Sequence, residues 1–405
     1  MLNQLYVFIY LSGDWVPCGL LKFTEAGRNS NSTFRYGRKY LHRTDAIAID
    51  PVQLPLVDTA YETPDGFYVF NGIRDAGPDK WGRYLLERKF ARELSELEYI
   101  AASGEDRAGA LAFAKTLEDG VGVYNPAGIF EKRAGARRLK LEECMGAVDD
   151  VVASSETERL RQYLTYGPSL GGARPKAAVI WKGKPHLAKF SILLDTKNEP
   201  LIEYATMSLA KKAGLNVPNL ELERVDGRSV YLIERFDRRG QEHIPFASGL
   251  TLTGTHESDY SAWSYFKLVD AIIKYSARPT EDLEELFRRM VFNIAVYNND
   301  DHPRNFGFLH VGSNRWNLSP LYDVVPSLIH SETYTLAMTL GTEGKRASYS
   351  NALSMAARFR LSDARAKKIV DAIKTVVRTW RNHFKEVGAT DDEISRLENS
   401  FRVKT

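Results

Sequence analysis

Cysteine is scarce in this sequence: Cys18 and Cys144 are the only two among 405 residues. They stand too far apart to make a metal-binding spacing by themselves, and so few thiols exclude a disulfide-built fold and suit a reducing cytoplasm. Long apolar runs are also missing, which excludes a helix crossing a bilayer. The net charge is only +3, so the chain as a whole has no strong pull on polyanions. Internal repeats and low-complexity tracts are absent, which excludes a solenoid. The opening residues, MLNQLYVFIYLSGDW, lack a basic n-region and a small-residue cleavage site. Alternation from Tyr6 to Tyr10, followed by Ser12-Gly13-Asp14, predicts a strand running into a turn rather than a leader.

What is present is the composition of a soluble globular protein, 43% hydrophobic and 26% charged, at a length that predicts two or three domains. Residues 1–125 read as a small α+β unit, with strands at Leu5–Leu11, Gly19–Phe23 and Phe67–Phe70 and a helix opening near Asp79. The approach to that helix, Asn71 to Pro78, reads as a loop. A basic stretch from Glu131 to Lys140 and a helix over Leu141–Val152 form a connector. A hairpin is expected from Ala177 to Phe190, then a helix from Pro200 to Ala213 and a strand from Ser229 to Glu234. From Ala262 the pattern is mainly helical: Ser264–Tyr275, Thr280–Tyr297, Asn351–Phe359, Ser362–Lys385 and Asp391–Phe401, with Thr280 and Ser362 as N-caps. A strand-rich part followed by a helix-rich part predicts two lobes.

Three segments carry the chemistry. Asn298-Asn299-Asp300-Asp301-His302-Pro303-Arg304-Asn305 puts polar and ionisable side chains directly after an apolar helix, and Pro303 prevents that helix from continuing. Next, Leu318-Ser319-Pro320-Leu321-Tyr322-Asp323 sets a carboxylate in an apolar context, where it needs a cation or a donor. An Asp and an Asn from one loop, with an Asp after the next hairpin, is how kinase-type sites supply a base and hold magnesium. Upstream, Tyr166-Gly167-Pro168-Ser169-Leu170-Gly171-Gly172-Ala173-Arg174-Pro175-Lys176 pairs glycines before a strand, which lets backbone amides approach phosphate oxygens. This loop is neither a Walker loop nor a G-x-G-x-x-G, and a tight hairpin turn is the competing reading. Lys189 on the following strand either snorkels at the surface or reaches nucleotide phosphates.

In this order the segments resemble the HipA family of bacterial toxin kinases. Ser169 to Lys176 is similar to its glycine-rich loop, Asp300 to Phe306 to its D-x-H-x-x-N-(F) signature, and Leu318 to Asp323 to its L-x-P-x-Y-D metal motif. Ile233-Glu234-Arg235-Phe236-Asp237-Arg238 resembles its E-R-F-D-R segment, and Asp75 to Arg83 its N-terminal-domain motif. The resemblance implies an α+β, two-lobed protein-kinase-like fold of the phosphoinositide-kinase-like kind, with a helical C-terminal lobe. Its divisions are an N-terminal subdomain (1–125), a connector with a strand-rich ATP-binding lobe (126–260) and a helical catalytic lobe (261–405).

It further implies a cytoplasmic serine/threonine protein kinase using ATP and Mg2+. Asp300 is the expected base, assisted by Lys189 at the phosphates, and Asn305 and Asp323 are the expected metal ligands. Ser169, Gly171, Gly172, Ala173, Lys176, Lys189, Glu234, Phe236, His302 and Asn305 are the expected ATP contacts. Ser169 matches the serine that the family autophosphorylates; Arg174 and Pro175 depart from the best-known members. The implied partners are a protein substrate such as an aminoacyl-tRNA synthetase or another translation factor, a helix-turn-helix antitoxin of HipB type, and DNA through that antitoxin, with no membrane. Asp301 competes with Asp300 as base. His302, lacking a partner at ligand spacing, is expected to shape the loop rather than bind metal. Glu234 has a competing role in an ion pair with Arg235 or Arg238. A small-molecule or lipid kinase, and a kinase-like co-repressor without catalysis, are the competing functions.

Overall fold

The structure, a computed structural model, describes residues 2–24, 31–104, 106–131, 139–155, 157–166, 174–193, 195–328 and 334–402. The glycine-rich segment at Ser169, Gly171, Gly172 and Ala173, and most of the basic stretch before Lys140, lie outside the described residues. The chain divides into two compact units, Met1–Leu193 with Glu234–Ala247 and Leu194–Ile233 with Ser248–Thr405. Among the described residues no helix is long and apolar enough to cross a membrane.

The first unit is built on an antiparallel five-stranded sheet with Gln4–Leu11 and Asp14–Thr24 near its centre. Alternation drives it: Leu5, Val7 and Ile9 are buried on one face with Leu21 and Phe34, while Phe8 packs against Ala112 and Ala114 on the other. The expected strand at Phe67–Phe70 does not form. The edge strand is Ala60–Glu62, and Phe70 caps a short helix, Asn71–Arg74, where a loop was expected. Asp50 explains that helix, because its carboxylate accepts from Gly72 N at 3.0 Å and fixes the turn.

The helix Lys80–Phe90 opens as expected at Asp79, whose Oδ1 accepts from Gly82 N at 2.9 Å. Leu141–Val152 and Glu158–Tyr166 follow, then the antiparallel hairpin Lys176–Trp181 and Lys184–Phe190. Its two-residue turn is Lys182-Gly183, both at positive φ, as a tightly twisted hairpin requires.

The second unit centres on the helix Pro279–Val296. Leu286, Phe287, Met290, Val291, Phe292 and Ile294 are fully buried; the first half of the helix keeps a charged face with Glu281, Glu284, Glu285 and Arg288, while the second half is buried on every side. Each such burial contributes about 1.5–3 kcal/mol. Thr280 is not its N-cap: Pro279, with φ preset and no N–H to satisfy, takes the first turn after Arg278. Ser362 is a cap, accepting from Arg365 N at 3.3 Å. The helix expected through Lys385 breaks at Arg378-Thr379 into Asp363–Val377 and Trp380–Glu386, which lets Trp380 stack on Phe401. Asn351–Phe359 is likewise two short turns, Tyr349–Leu353 and Ala356–Phe359. The hairpin Gly307–His310 and Trp316–Leu318 interrupts the helices and carries the chain from the Asp300 loop to Asp323.

Candidate active site

The second unit brings Asp300, Asn305 and Asp323 to one place. The Pro279–Val296 helix stops at Tyr297, which turns left-handed at φ 52° and ψ 56°. Asn298 takes over from the helix: it is buried, its Nδ2 donates to Asn293 Oδ1 at 3.1 Å, and its Oδ1 accepts from Asp300 N at 3.3 Å. Pro303 then starts a single 3-10 turn to Asn305. Asn305 Nδ2 donates back to the Asp300 carbonyl at 2.8 Å. Both peptide groups flanking the Asp300 side chain are therefore held, while that side chain is 76% exposed. Gly249 backs the turn, since a Cβ there would lie 2.5 Å from the Pro303 carbonyl oxygen.

The Asp323 segment is laced to this loop at both ends. Tyr322 Oη donates to Arg304 O at 2.7 Å, Ser327 N donates to Tyr297 O at 2.9 Å, and Ser327 Oγ donates to Asn299 Oδ1 at 2.6 Å. Asp323 itself sits at φ 58°, a left-handed conformation that Asp tolerates better than most residues and that clusters at functional sites. Asp300, Asp323, Asn298, Ser327 and Lys197 line a cleft of about 320 Å³. Lys197, which sequence reasoning passed over, pairs with Glu199 at the start of the helix Glu199–Lys212.

Electrostatics separate the two adjacent aspartates. Partial desolvation raises the Asp300 carboxyl above the ordinary carboxylate range; His302, with Nε2 at 3.6 Å, lowers it, and Asp323 raises it further. Asp301 points the other way and is completely buried. It accepts from Tyr265 Oη and from Ala337 N, both at 2.6 Å, and burial pushes its carboxyl up to about 7. The ring of His302 lies against Trp263, centroids 5.9 Å apart, beside the loop it was expected to shape.

Oxygen donors suit magnesium, which takes one or two protein ligands and leaves the rest to phosphate and water. Asn305 fits: its Nδ2 is committed to the Asp300 carbonyl, so the amide oxygen is the atom left for a cation. Asp323, which lines the cleft together with Asp300, adds a carboxylate.

In the first unit, Lys189 and Lys176 stand directly opposite on the hairpin, so their side chains share a face. Lys189 is half-buried. Lys176, an expected nucleotide contact, is 3% exposed and pairs with Asp79 at 3.2 Å. The E-R-F-D-R segment is also largely internal. Arg235 and Arg238 converge on Asp237 at 2.8 and 2.9 Å, and Asp237 also accepts from Gly109 N at 2.8 Å. Burial alone would raise the Asp237 carboxyl, but the two guanidiniums hold it well below the usual carboxylate range. With both arginines committed there, Glu234 pairs instead with Lys184 at 3.0 Å, next to a half-buried Phe236.

Two family models match: that described as the HipA N-terminal domain at residues 10–114, and that described as the HipA-like C-terminal domain at residues 168–380. A putative kinase from Haemophilus influenzae is 26% identical over 212 residues, 44% of this chain and 60% of the relative. The serine/threonine-protein kinase toxin HipA of Shewanella oneidensis is 24% identical over 295 residues, 64% of this chain and 63% of the relative. The matched stretches thus span less than two thirds of either relative. Among solved structures, the Shewanella oneidensis complex of HipA, HipB and operator DNA superposes with a TM-score of 0.67 at 18% identity, covering 98% of this chain and 95% of that one, which shows the α+β fold. With the C-terminal model alone spanning more than half of its residues, the chain belongs to the HipA family.

Proposed function

We propose that this chain is an ATP-dependent serine/threonine protein kinase and the toxin of a toxin–antitoxin pair. The observation that carries the reading is the presentation of Asp300: an exposed carboxylate on a loop pinned at both flanking peptides, sharing a cleft with Asp323. Asp300 is the base that accepts the hydroxyl proton of the substrate, and its raised pKa suits that task better than an ordinary carboxylate would. Asn305 and Asp323 hold magnesium, which when bound neutralises charge on the transferring phosphate. Lys189 contacts the ATP phosphates, with Ser169, Gly171, Gly172 and Ala173 as the covering loop and Glu234, Phe236 and His302 as further nucleotide contacts.

Lys176 is better suited to anchoring that loop than to touching ATP, because Asp79 partners it in a buried position. Ser169 is the proposed autophosphorylation site. The protein substrate is translation-related, and the partner is a HipB-type antitoxin that brings the chain to DNA, as in the Shewanella oneidensis complex of similar fold. Incubation with labelled ATP and magnesium tests the reading. The wild type should bind ATP and label itself, and Asp300→Ala should bind ATP without labelling. A wild type that binds no ATP would overturn it.

A further inference from the structure

Asp301 is not used by the proposed chemistry, yet it is the most completely buried carboxylate of the loop and sits at the end of a continuous polar chain. Asp300 N donates to Asn298 Oδ1 at 3.3 Å, Asn298 Nδ2 donates to Asn293 Oδ1 at 3.1 Å, and Asn293 Nδ2 donates to Tyr265 Oη at 3.1 Å. Tyr265 Oη donates in turn to Asp301 Oδ2 at 2.6 Å. All four side chains of this chain, Asn298, Asn293, Tyr265 and Asp301, are buried, where an unmet polar group is costly.

The second oxygen of Asp301 leaves the loop altogether. Oδ1 accepts from Ala337 N at 2.6 Å, on a segment that lies beyond Asp323 in the chain, 36 residues from Asp301. Two residues on, Thr339 pairs with the chain around Tyr265: Tyr265 N donates to Thr339 O at 3.0 Å and Thr339 N to Trp263 O at 3.1 Å. Tyr265 also packs edge-on to Phe306 at 5.6 Å, just beyond Asn305. One tyrosine and one aspartate thus touch both the Asp300 loop and the 337–339 segment.

We propose that Asp301 and Tyr265 are positioning residues through which docking of the 337–339 segment sets the aim of Asp300. The inference rests on the reading of Asp300 as the base. Burying the Asp301 carboxylate inward forces its neighbour outward, and the Asn298 branch of the same network fixes the Asp300 peptide. When the segment is seated, Ala337 N completes Asp301 and the loop has one arrangement. When it is not, a buried carboxylate loses a donor and the loop must rearrange to compensate.

Asp301→Asn and Tyr265→Phe in the full chain test this, since both keep side-chain volume. Three quantities are read: self-labelling at saturating Mg·ATP, ATP affinity by calorimetry, and exchange of the Ala337 amide with deuterium. Each variant should lower the labelling rate about 10- to 100-fold, as small misplacements of a reacting group do, with ATP affinity changed by less than about threefold. The Ala337 amide should exchange at least about tenfold faster, and the double variant should be no slower in labelling than the slower single variant. Labelling within about twofold of wild type, affinity falling in step with rate, or independent multiplying effects would each overturn the proposal. If the wild type does not label at all, the proposed function fails instead. The Ala337 exchange then still decides whether Asp301 ties the segment to the loop.

Discussion

Asp79 and Lys176, 97 residues apart in sequence, close a buried ion pair at 3.2 Å. Asp79 does two things at once, capping the helix Lys80–Phe90 through Oδ1 and neutralising Lys176 through Oδ2. Lys176 in turn is held through its carbonyl by Tyr163 Oη at 2.8 Å, and the preceding carbonyl of Pro175 accepts from Phe190 N at 3.0 Å. The root of the glycine-rich segment is therefore tied to the N-terminal region, and Lys189 has a neutralised lysine rather than a bare charge as its cross-strand neighbour.

Asp79→Asn keeps the cap but removes the charge, so it isolates the ion pair. It should lower unfolding free energy by about 3 kcal/mol, since removing one partner leaves a buried charge poorly compensated. Adding Lys176→Met should recover part of that loss. Urea denaturation of the two single variants and the double variant measures both effects, and additive losses would contradict the account.

The titration of Asp300 should reflect its neighbours. His302 lowers the Asp300 carboxyl and Asp323 raises it, so His302→Gln should move its midpoint to higher pH and Asp323→Asn to lower pH. In its proposed role as base Asp300 must be deprotonated, so activity should rise with pH through that midpoint. Carbon NMR of the labelled carboxyl, recorded without nucleotide, follows the shift independently of catalysis.

Gly249 should not tolerate a side chain. A Cβ would meet the Pro303 carbonyl oxygen at 2.5 Å and Leu268 Cδ2 at 2.7 Å, so the turn from Pro303 to Asn305 would have to move. Gly249→Ala should cost about 1–3 kcal/mol, as overpacking does. It should also reduce the proposed phosphate transfer by more than about tenfold, because the carbonyl that moves accepts from Phe306 N and so closes the turn that carries Asn305. Thermal melting and the labelling assay read the two effects separately.

His383 sets a pH window for stability. Lys212 Nζ donates to its Nδ1 at 2.8 Å, so the proton sits on Nε2, facing Ser208 Oγ at 2.8 Å and the Ala205 carbonyl at 3.1 Å. Burial first, and Lys212 second, lower its pKa. The unfolded chain takes up this proton near the ordinary value of about 6.5, while the fold resists it. The contribution of His383 is thus complete above about pH 6.5 and is lost as pH falls toward the depressed folded value. His383→Gln should flatten denaturation midpoints over that range. The loss at lower pH, where carboxylates such as Asp237 are protonated against their guanidinium partners, should remain.

Local sequence determined a good deal. Alternation marked the strand Gln4–Leu11, and Lys182-Gly183 closed the separate hairpin of Lys176–Trp181 and Lys184–Phe190, a turn that demands positive φ. Pro303 kept the loop from continuing as helix, although the helix itself ended earlier at the left-handed Tyr297, and the order of Asp300, Asn305 and Asp323 pointed to one site because it matched the arrangement of kinase-type sites. Where local signals misled, a distant group had intervened. Asp50 turned the Asn71–Arg74 stretch into a helix, and stacking of Trp380 on Phe401 accompanied the break of the long helix.

Between Asp300 and Asp301 only the D-x-H-x-x-N register favoured Asp300; the side chains themselves are chemically equal and adjacent. Tertiary structure separated them by bringing Tyr265 and Ala337, each 36 residues away, to bury one and leave the other in the cleft. Arg235 and Arg238 became a clamp on Asp237 for the same reason: Gly109 and Asp106 reach them only in the folded chain. Sequence supplies the donors and acceptors, but burial decides which must be paired, and burial exists only once the chain has folded.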